Sequence, residues 1–314
     1  MNRYIKKILS YGHQNNPVLR KQFEGFTERD WNNLKPTSEK GESLVHSFQA
    51  MMGGDLASIC AKKGITYEGG NGEIGPATKD LFKVKRCQNP DYLAPDVLEK
   101  IGKGSIPAGC YSDYLNNHVT KIYFDFTGAS QKVKDWWNEV WAIVQEAYRK
   151  IGLLIIETKK KSEANHVLLF ESLGGSTIGL AIVGTDWKCG EQVWLKLDKN
   201  YFPSAIRVAQ VLAHEFAHNL GVGHINGDPI QNPSVVNQDW NGSFFGTPLG
   251  NIFVAMFGGE EVIVIGQPVP PTDPQPPVGL QLIIGGEVYI HNASSLPFTV
   301  PAGQKSKPFI LTPK

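Results

Sequence analysis

The chain is poor in the features that would commit it to several large classes of protein. Among 314 residues there are four cysteines, Cys60, Cys87, Cys110 and Cys189, and no two form a CxxC pair. Four thiols are too few for a disulfide scaffold at this length, and their spacing excludes a cysteine-ribbon zinc site. An excess of one charge is also lacking: 31 Lys and Arg stand against 30 Asp and Glu, a formal net charge of +1. With no long basic run and no nucleic-acid-binding signature, nothing draws the chain to RNA, DNA or an anionic surface. Apolar runs are short; residues 151–156 and 262–265 are strand-sized, far from the roughly 18 residues of a membrane-spanning helix. The N-terminus, MNRYIKKILSYGHQ, has no continuous apolar stretch and no small-residue cleavage site of the secretory kind. No internal repeat is visible.

What remains is an ordinary globular composition, 41% apolar with 33 glycines, in a chain long enough for more than one unit. Residues 1–38 read as a polar, irregular segment with a short helix near 28–34. Residues 39–86 read as a small all-α unit: Leu44, Val45, Phe48, Met51, Leu56 and Ile59 recur at helical spacing through one run, 43–63. Glycines at 69, 70, 72 and 75 make a turn, and Pro76 is placed to open another helix. Residues 87–111 read as a linker, broken by Pro90, Pro95 and Pro107. Residues 112–266 carry an α+β pattern, with strands expected at 119–126, 153–158, 166–171, 178–183 and 191–197. Between them run two long helices, 131–151, with Trp136, Val140, Ile143, Val144 and Ala147 on one face, and 204–220, with Ser204 placed to cap it. Residues 267–278 (QPVPPTDPQPPV) form a stiff proline-rich linker, and alternating residues in 279–314 suggest a small β appendage.

The segment with chemistry in it is His214-Glu215-Phe216-Ala217-His218-Asn219-Leu220-Gly221-Val222-Gly223-His224, which fits H-E-x-x-H-x-x-G-x-x-H. On a helix His214 and His218 lie on one face, a turn apart, so both imidazoles reach one zinc ion. Glu215 adjoins the first ligand and is placed to take a proton from a zinc-bound water rather than to coordinate. Gly221 falls where the helix must stop and the chain turn, and His224 returns as the third ligand. Three histidines leave a fourth position open, the arrangement of a catalytic zinc. The predicted activity is peptide hydrolysis by a zinc metalloendopeptidase, with Glu215 as general base.

With this motif the sequence resembles the metzincin zinc endopeptidases, most closely their matrixin-like branch, over roughly residues 113–239. The resemblance implies a mixed five-stranded sheet over two long helices, the second carrying the motif. It also implies that Ile178, Gly179, Leu180 and Ala181 lie in an edge strand to which a peptide substrate adds. The methionine turn of that family is matched by Asn232-Pro233-Ser234-Val235-Val236-Asn237, with Val236 in the methionine's place; Met256 is the only methionine after the motif. No tyrosine lies between His224 and Tyr289, which favours a three-histidine site. Residues 39–86, through GNGEIGPATKDLF, resemble the peptidoglycan-binding-like unit that precedes matrixin catalytic domains. Lys85-Arg86-Cys87-Gln88-Asn89-Pro90-Asp91 is similar to the cysteine switch of matrixin propeptides, in which a thiolate fills the open zinc position. Arg86, Cys87, Pro90 and Asp91 match it; Lys85 and Gln88 depart from it.

The resemblance thus implies a latent zymogen, activated by loss of the chain up to about residue 110, with Cys87 as inhibitory ligand and an Arg86–Asp91 pair shaping the loop. One catalytic zinc is expected; calcium is common in the family, but no calcium loop is seen here. The expected partner is a protein or peptide substrate, with cell-wall peptidoglycan as a second through residues 39–86, for a secreted monomer with no membrane span. Cys110 and Cys189 stay open between a disulfide and free thiols, and Cys60 reads as helix core. Rival readings are a cell-wall-binding protein, a cell-wall peptide hydrolase, and an inactive zinc-binding homologue.

Overall fold

A computed structural model describes residues 1–96, 118–183, 192–235 and 239–257, and three later strands at 263–265, 280–284 and 287–291. Cys110, Cys189, Val236 and the proline-rich 267–278 lie outside the described residues.

The first 38 residues, expected to be irregular, are largely helical: α1 (Arg3–Leu9), α2 (Arg20–Phe23) and α3 (Glu28–Asn33). Their caps are local and strong. Asn2 accepts from the Tyr4 N–H, and Thr27 and Asp30 form a reciprocal capping box. Ile5 and Ile8 on α1, with Tyr11 beyond it, are buried against Leu44, Val45 and Phe48. Two isoleucines among Arg3, Lys6 and Lys7 are a thin apolar signal, which tertiary packing completes. The single helical run expected over 43–63 is two helices, α4 (Glu39–Met51) and α5 (Gly53–Lys62), broken at Met52; α6 (Pro76–Leu81) follows with proline in its first turn.

After β1 (Arg86–Cys87) and the residues outside the description come β2 (Val119–Asp125), α7 (Gln131–Lys150), β3 (Leu154–Glu157), β4 (His166–Glu171), β5 (Thr177–Ala181), β6 (Val193–Asp198), α8 (Ala205–Asn219) and α9 (Pro248–Phe257). The sheet order is β1-β5-β6-β4-β2-β3. It therefore has six strands rather than five, because Arg86 and Cys87 add in parallel beside β5. Only β5–β6 is antiparallel, so the sheet is mixed and the class α+β. Helix α8 packs on α7 and on β5 and β6. Val133, Trp137, Val140, Val144 and Tyr148 of α7 and Val208, Val211 and Leu212 of α8 close the core over Ile122, Leu168 and Leu195. Trp136, expected on the inner face, is only half-buried under Lys132, and Trp137 takes the inward position. A separate antiparallel sheet pairs β7 (Ile263–Ile265), β8 (Leu280–Ile284) and β9 (Glu287–His291), so the appendage includes a strand from before the proline segment.

Candidate metal centre

Helix α8 brings His214, Glu215 and His218 into the core at its C-terminal end, all fully buried. Its end is closed by Gly221, at φ +90°, where the Gly221 N–H reaches the His218 carbonyl at 2.9 Å and the Val222 N–H the Ala217 carbonyl at 3.1 Å. A side chain at that φ would be strained, so glycine lets the chain reverse and carry His224 back over the helix.

The three imidazoles are oriented through Nδ1. His214 Nδ1 lies 2.6 Å from the Ile230 carbonyl, and His218 Nδ1 lies 2.7 Å from the Val222 carbonyl. His224 Nδ1 lies 3.0 Å from Asp91 Oδ1. A carbonyl has no proton to give, so His214 and His218 donate from Nδ1 and keep a bare lone pair on Nε2. Those two Nε2 atoms stand 3.1 Å apart, lone pair to lone pair, and His224 Nε2 is buried with no hydrogen-bond partner. Burial pushes His214 and His218 well below the ordinary imidazole pKa, and burial likewise lowers His224 while Asp91 works against it. Neutral imidazoles aiming lone pairs at one point are stabilised by a cation between them.

Cys87 completes the cluster. Its Sγ lies 3.6 Å from His218 Nε2, and the sulfur and the three imidazoles offer donor atoms all within 4.8 Å of one another. One thiol and three histidine nitrogens at that span suit a four-coordinate zinc ion, so the residues present fit the metal. Among the described residues no second such cluster of His, Cys, Asp or Glu side chains occurs. Main-chain bonds hold Cys87 there: Arg86 N–H to Ser176 O at 2.9 Å, Cys87 N–H to Pro233 O at 2.9 Å, and Gln88 N–H to Gly179 O at 3.1 Å. The Ala181 N–H adds a bond to the Asn89 side chain at 3.3 Å. The strand holding Ile178, Gly179, Leu180 and Ala181 is therefore not an open edge in this state.

Glu215 Oε2 accepts from the Cys87 thiol at 3.5 Å, and Oε1 is buried with no partner. Burial pushes the Glu215 carboxyl well above its usual range; burial, then the nearby Glu215, does the same to the Cys87 thiol. A Cβ on Gly179 would overlap the Glu215 carboxylate, so this glycine inside a strand admits the acid against the main chain. A glycine in a strand interior was the signal for that approach, and the sequence reading placed Gly179 only in a substrate edge.

The Arg86–Asp91 pair lies buried beneath the loop. Sequence reasoning missed what else it touches. Asp91 Oδ2 meets His13 Nε2 at 2.6 Å, Tyr11 O accepts from the Asp91 N–H at 2.6 Å, and the Arg86 guanidinium lies 3.6 Å over the Tyr11 ring. Burial acts to raise the Asp91 pKa, but Arg86, His13 and His224 together hold it well below the usual carboxylate range. Farther along the interface Ser234, in the turn whose Val236 lies outside the description, hydrogen-bonds Asp55 of α5.

No protein-family model matches the chain. Over 85 residues it is 27% identical to the snake venom metalloproteinase trimerelysin-2 of Protobothrops flavoviridis, a stretch covering 27% of this chain and 41% of that protein. Two solved structures of myroilysin cover 34% of this chain and 48% and 44% of their own, at 17% and 18% identity and TM-scores of 0.26 and 0.25. The chain thus spans less than half the length of each of these three. It is distantly similar to a metalloproteinase and carries a histidine–cysteine cluster able to hold a metal ion. No helix among the described residues is long and apolar enough to cross a membrane.

Proposed function

We propose that the chain is a zinc-dependent metalloendopeptidase of the metzincin, matrixin-like kind, held here in a latent form. His214, His218 and His224 would hold the metal through Nε2, with Cys87 as a fourth donor. The observation that carries this reading is the convergence of bare imidazole nitrogens and one thiol on a single buried point. Bound zinc supplies Lewis-acid polarisation of a peptide carbonyl and lowers the pKa of a bound water.

The chain's own residues do the rest. While Cys87 is in place its sulfur fills the space beside Glu215 Oε2, and no water reaches that carboxylate. Withdrawal of the Arg86–Asp91 segment opens that space and uncovers the main chain of Ile178, Gly179, Leu180 and Ala181 for a peptide to pair with. Glu215 then takes a proton from water entering beside Oε2 and delivers it to the leaving amine.

The test is cleavage of an unstructured protein such as casein by the full chain, by Cys87→Ser and by Cys87→Ser/Glu215→Ala, with metal content measured for each. One zinc per chain is expected in all three. Cleavage should be weak in the native chain, stronger in Cys87→Ser, where main-chain bonds alone hold the segment, lost on chelation and lost in the double variant. Chains that take up no zinc would overturn the reading. Zinc binding without cleavage by Cys87→Ser, even after the segment docked by its main chain on β5 has been removed by limited proteolysis, would leave the inactive homologue instead.

A further inference from the structure

The three imidazoles of the cluster are not held alike. His214 and His218 take their Nδ1 partners, the carbonyls of Ile230 and Val222, from the same unit that carries them. His224 takes its partner from the other side of the interface, and that partner is a carboxylate, Asp91 Oδ1 at 3.0 Å. Resting on the reading of this cluster as a zinc site, we propose that Asp91 tunes the site through His224. The N-terminal unit then tightens metal binding by a route separate from the Cys87 thiol.

The geometry is specific. Asp91 is fully enclosed and placed by groups from two stretches of chain. Arg86 binds Oδ1, His13 Nε2 binds Oδ2 at 2.6 Å, and the Asp91 N–H donates to Tyr11 O at 2.6 Å. His13 is fixed in turn by the Ser47 hydroxyl of α4 at 3.1 Å and by edge-on contacts with Phe48 and Tyr92. An Arg86–Asp91 pair would shape the loop without His224; the third bond aims the carboxylate at a metal ligand. A carboxylate accepting from Nδ1–H raises the electron density on Nε2 and fixes the ring, and loss of such a partner typically weakens metal binding about 10- to 100-fold. The two contributions are separable on the page: Cys87 is docked by its main chain to Pro233 and β5, whereas Asp91 acts on a ring that Cys87 does not orient.

The experiment measures zinc affinity of the full-length chain by competition with a chelating indicator, independently of catalysis. The set is the native chain, Asp91→Asn, Cys87→Ser, the Cys87→Ser/Asp91→Asn double variant and His13→Ala, each checked by circular dichroism and melting. Asp91→Asn should weaken zinc about 10- to 100-fold, and by the same factor in the Cys87→Ser background. His13→Ala, which leaves Asp91 bonded to Arg86 and His224, should weaken it in the same direction by less, and it decides the matter if Asp91→Asn does not fold. Equal affinity in native chain, Asp91→Asn and His13→Ala would overturn the inference while leaving the zinc site intact. So would a factor that disappears once Cys87 is serine, because Asp91 would then act only by aiming the thiol. A native chain that binds no zinc would sink the underlying reading itself.

Discussion

Gly179 and Glu215 set the tolerance of the centre. The strand backbone and the acid occupy adjoining space with no room for a methyl group between them. Gly179→Ala should displace the carboxylate or the strand, costing about 1–3 kcal/mol in a denaturant titration. In the Cys87→Ser background it should lower cleavage with zinc retained; unchanged cleavage would mean that the acid moves freely. Glu215→Gln keeps the shape and removes the proton acceptor, so in the same background the rate should fall about 10²- to 10⁴-fold at constant zinc content. Tyr148 lies deeper, with its hydroxyl donating to the Ala213 carbonyl at 2.8 Å one residue before the first histidine. Tyr148→Phe should cost about 0.5–1.5 kcal/mol by removing a second hydrogen bond from a carbonyl that the helix already pairs, read as a shift in the urea midpoint.

Between elements, the weld of α8 to the sheet runs through one histidine outside the cluster. His166 on β4 pairs through Nδ1 with Asn219 Oδ1 at 3.2 Å, and Asn219 Nδ2 donates to the carbonyls of Ile182 at 2.8 Å and Trp194 at 3.2 Å. Burial lowers the His166 pKa to about 4. The unfolded chain, with an ordinary value near 6.5, therefore binds a proton that the folded chain refuses. The contribution is complete above about pH 6.5 and declines as pH falls towards 4, by an amount on the order of 3 kcal/mol. Urea titrations of the metal-free chain between pH 7 and pH 4 should show a slope to which the buried His13, His214, His218 and His224 also contribute, and His166→Gln should reduce it by the His166 share. An unchanged slope would place the proton elsewhere. These elements were also the readable ones. α7 and α8 have a sustained period of 3.6 and a serine cap at the head of each, and β4 is a short apolar run bounded by polar residues. β1 was not readable, because two residues carry no period and their partner strand lies far along the chain. The ligand spacing could be read because helix geometry alone fixes it. His13 could not, since its role comes from a loop meeting Asp91 across the interface.

At the scale of the whole molecule, two cores meet at the metal cluster, and a metal held by Cys87 and the three histidines is a bond between them. Zinc should therefore raise the melting temperature of the full chain by mass action, and the rise should shrink in Cys87→Ser, where the ion no longer bridges the units. A shift of equal size in both chains would show that the metal stabilises the α8 side alone. Calorimetry with and without a chelator distinguishes the two.

The parallel pairing of β1 with β5 also bears on solubility. A sheet's last strand presents a row of unsatisfied amides and carbonyls, on which sheets of separate molecules can join. While Arg86 and Cys87 lie along β5, the amides at Arg86 and Gln88 are matched to carbonyls of the chain itself, and that side of the sheet is closed. The chain thus folds with that border covered. Were the segment lifted away, that border would be exposed, and self-association of the chain is expected to increase.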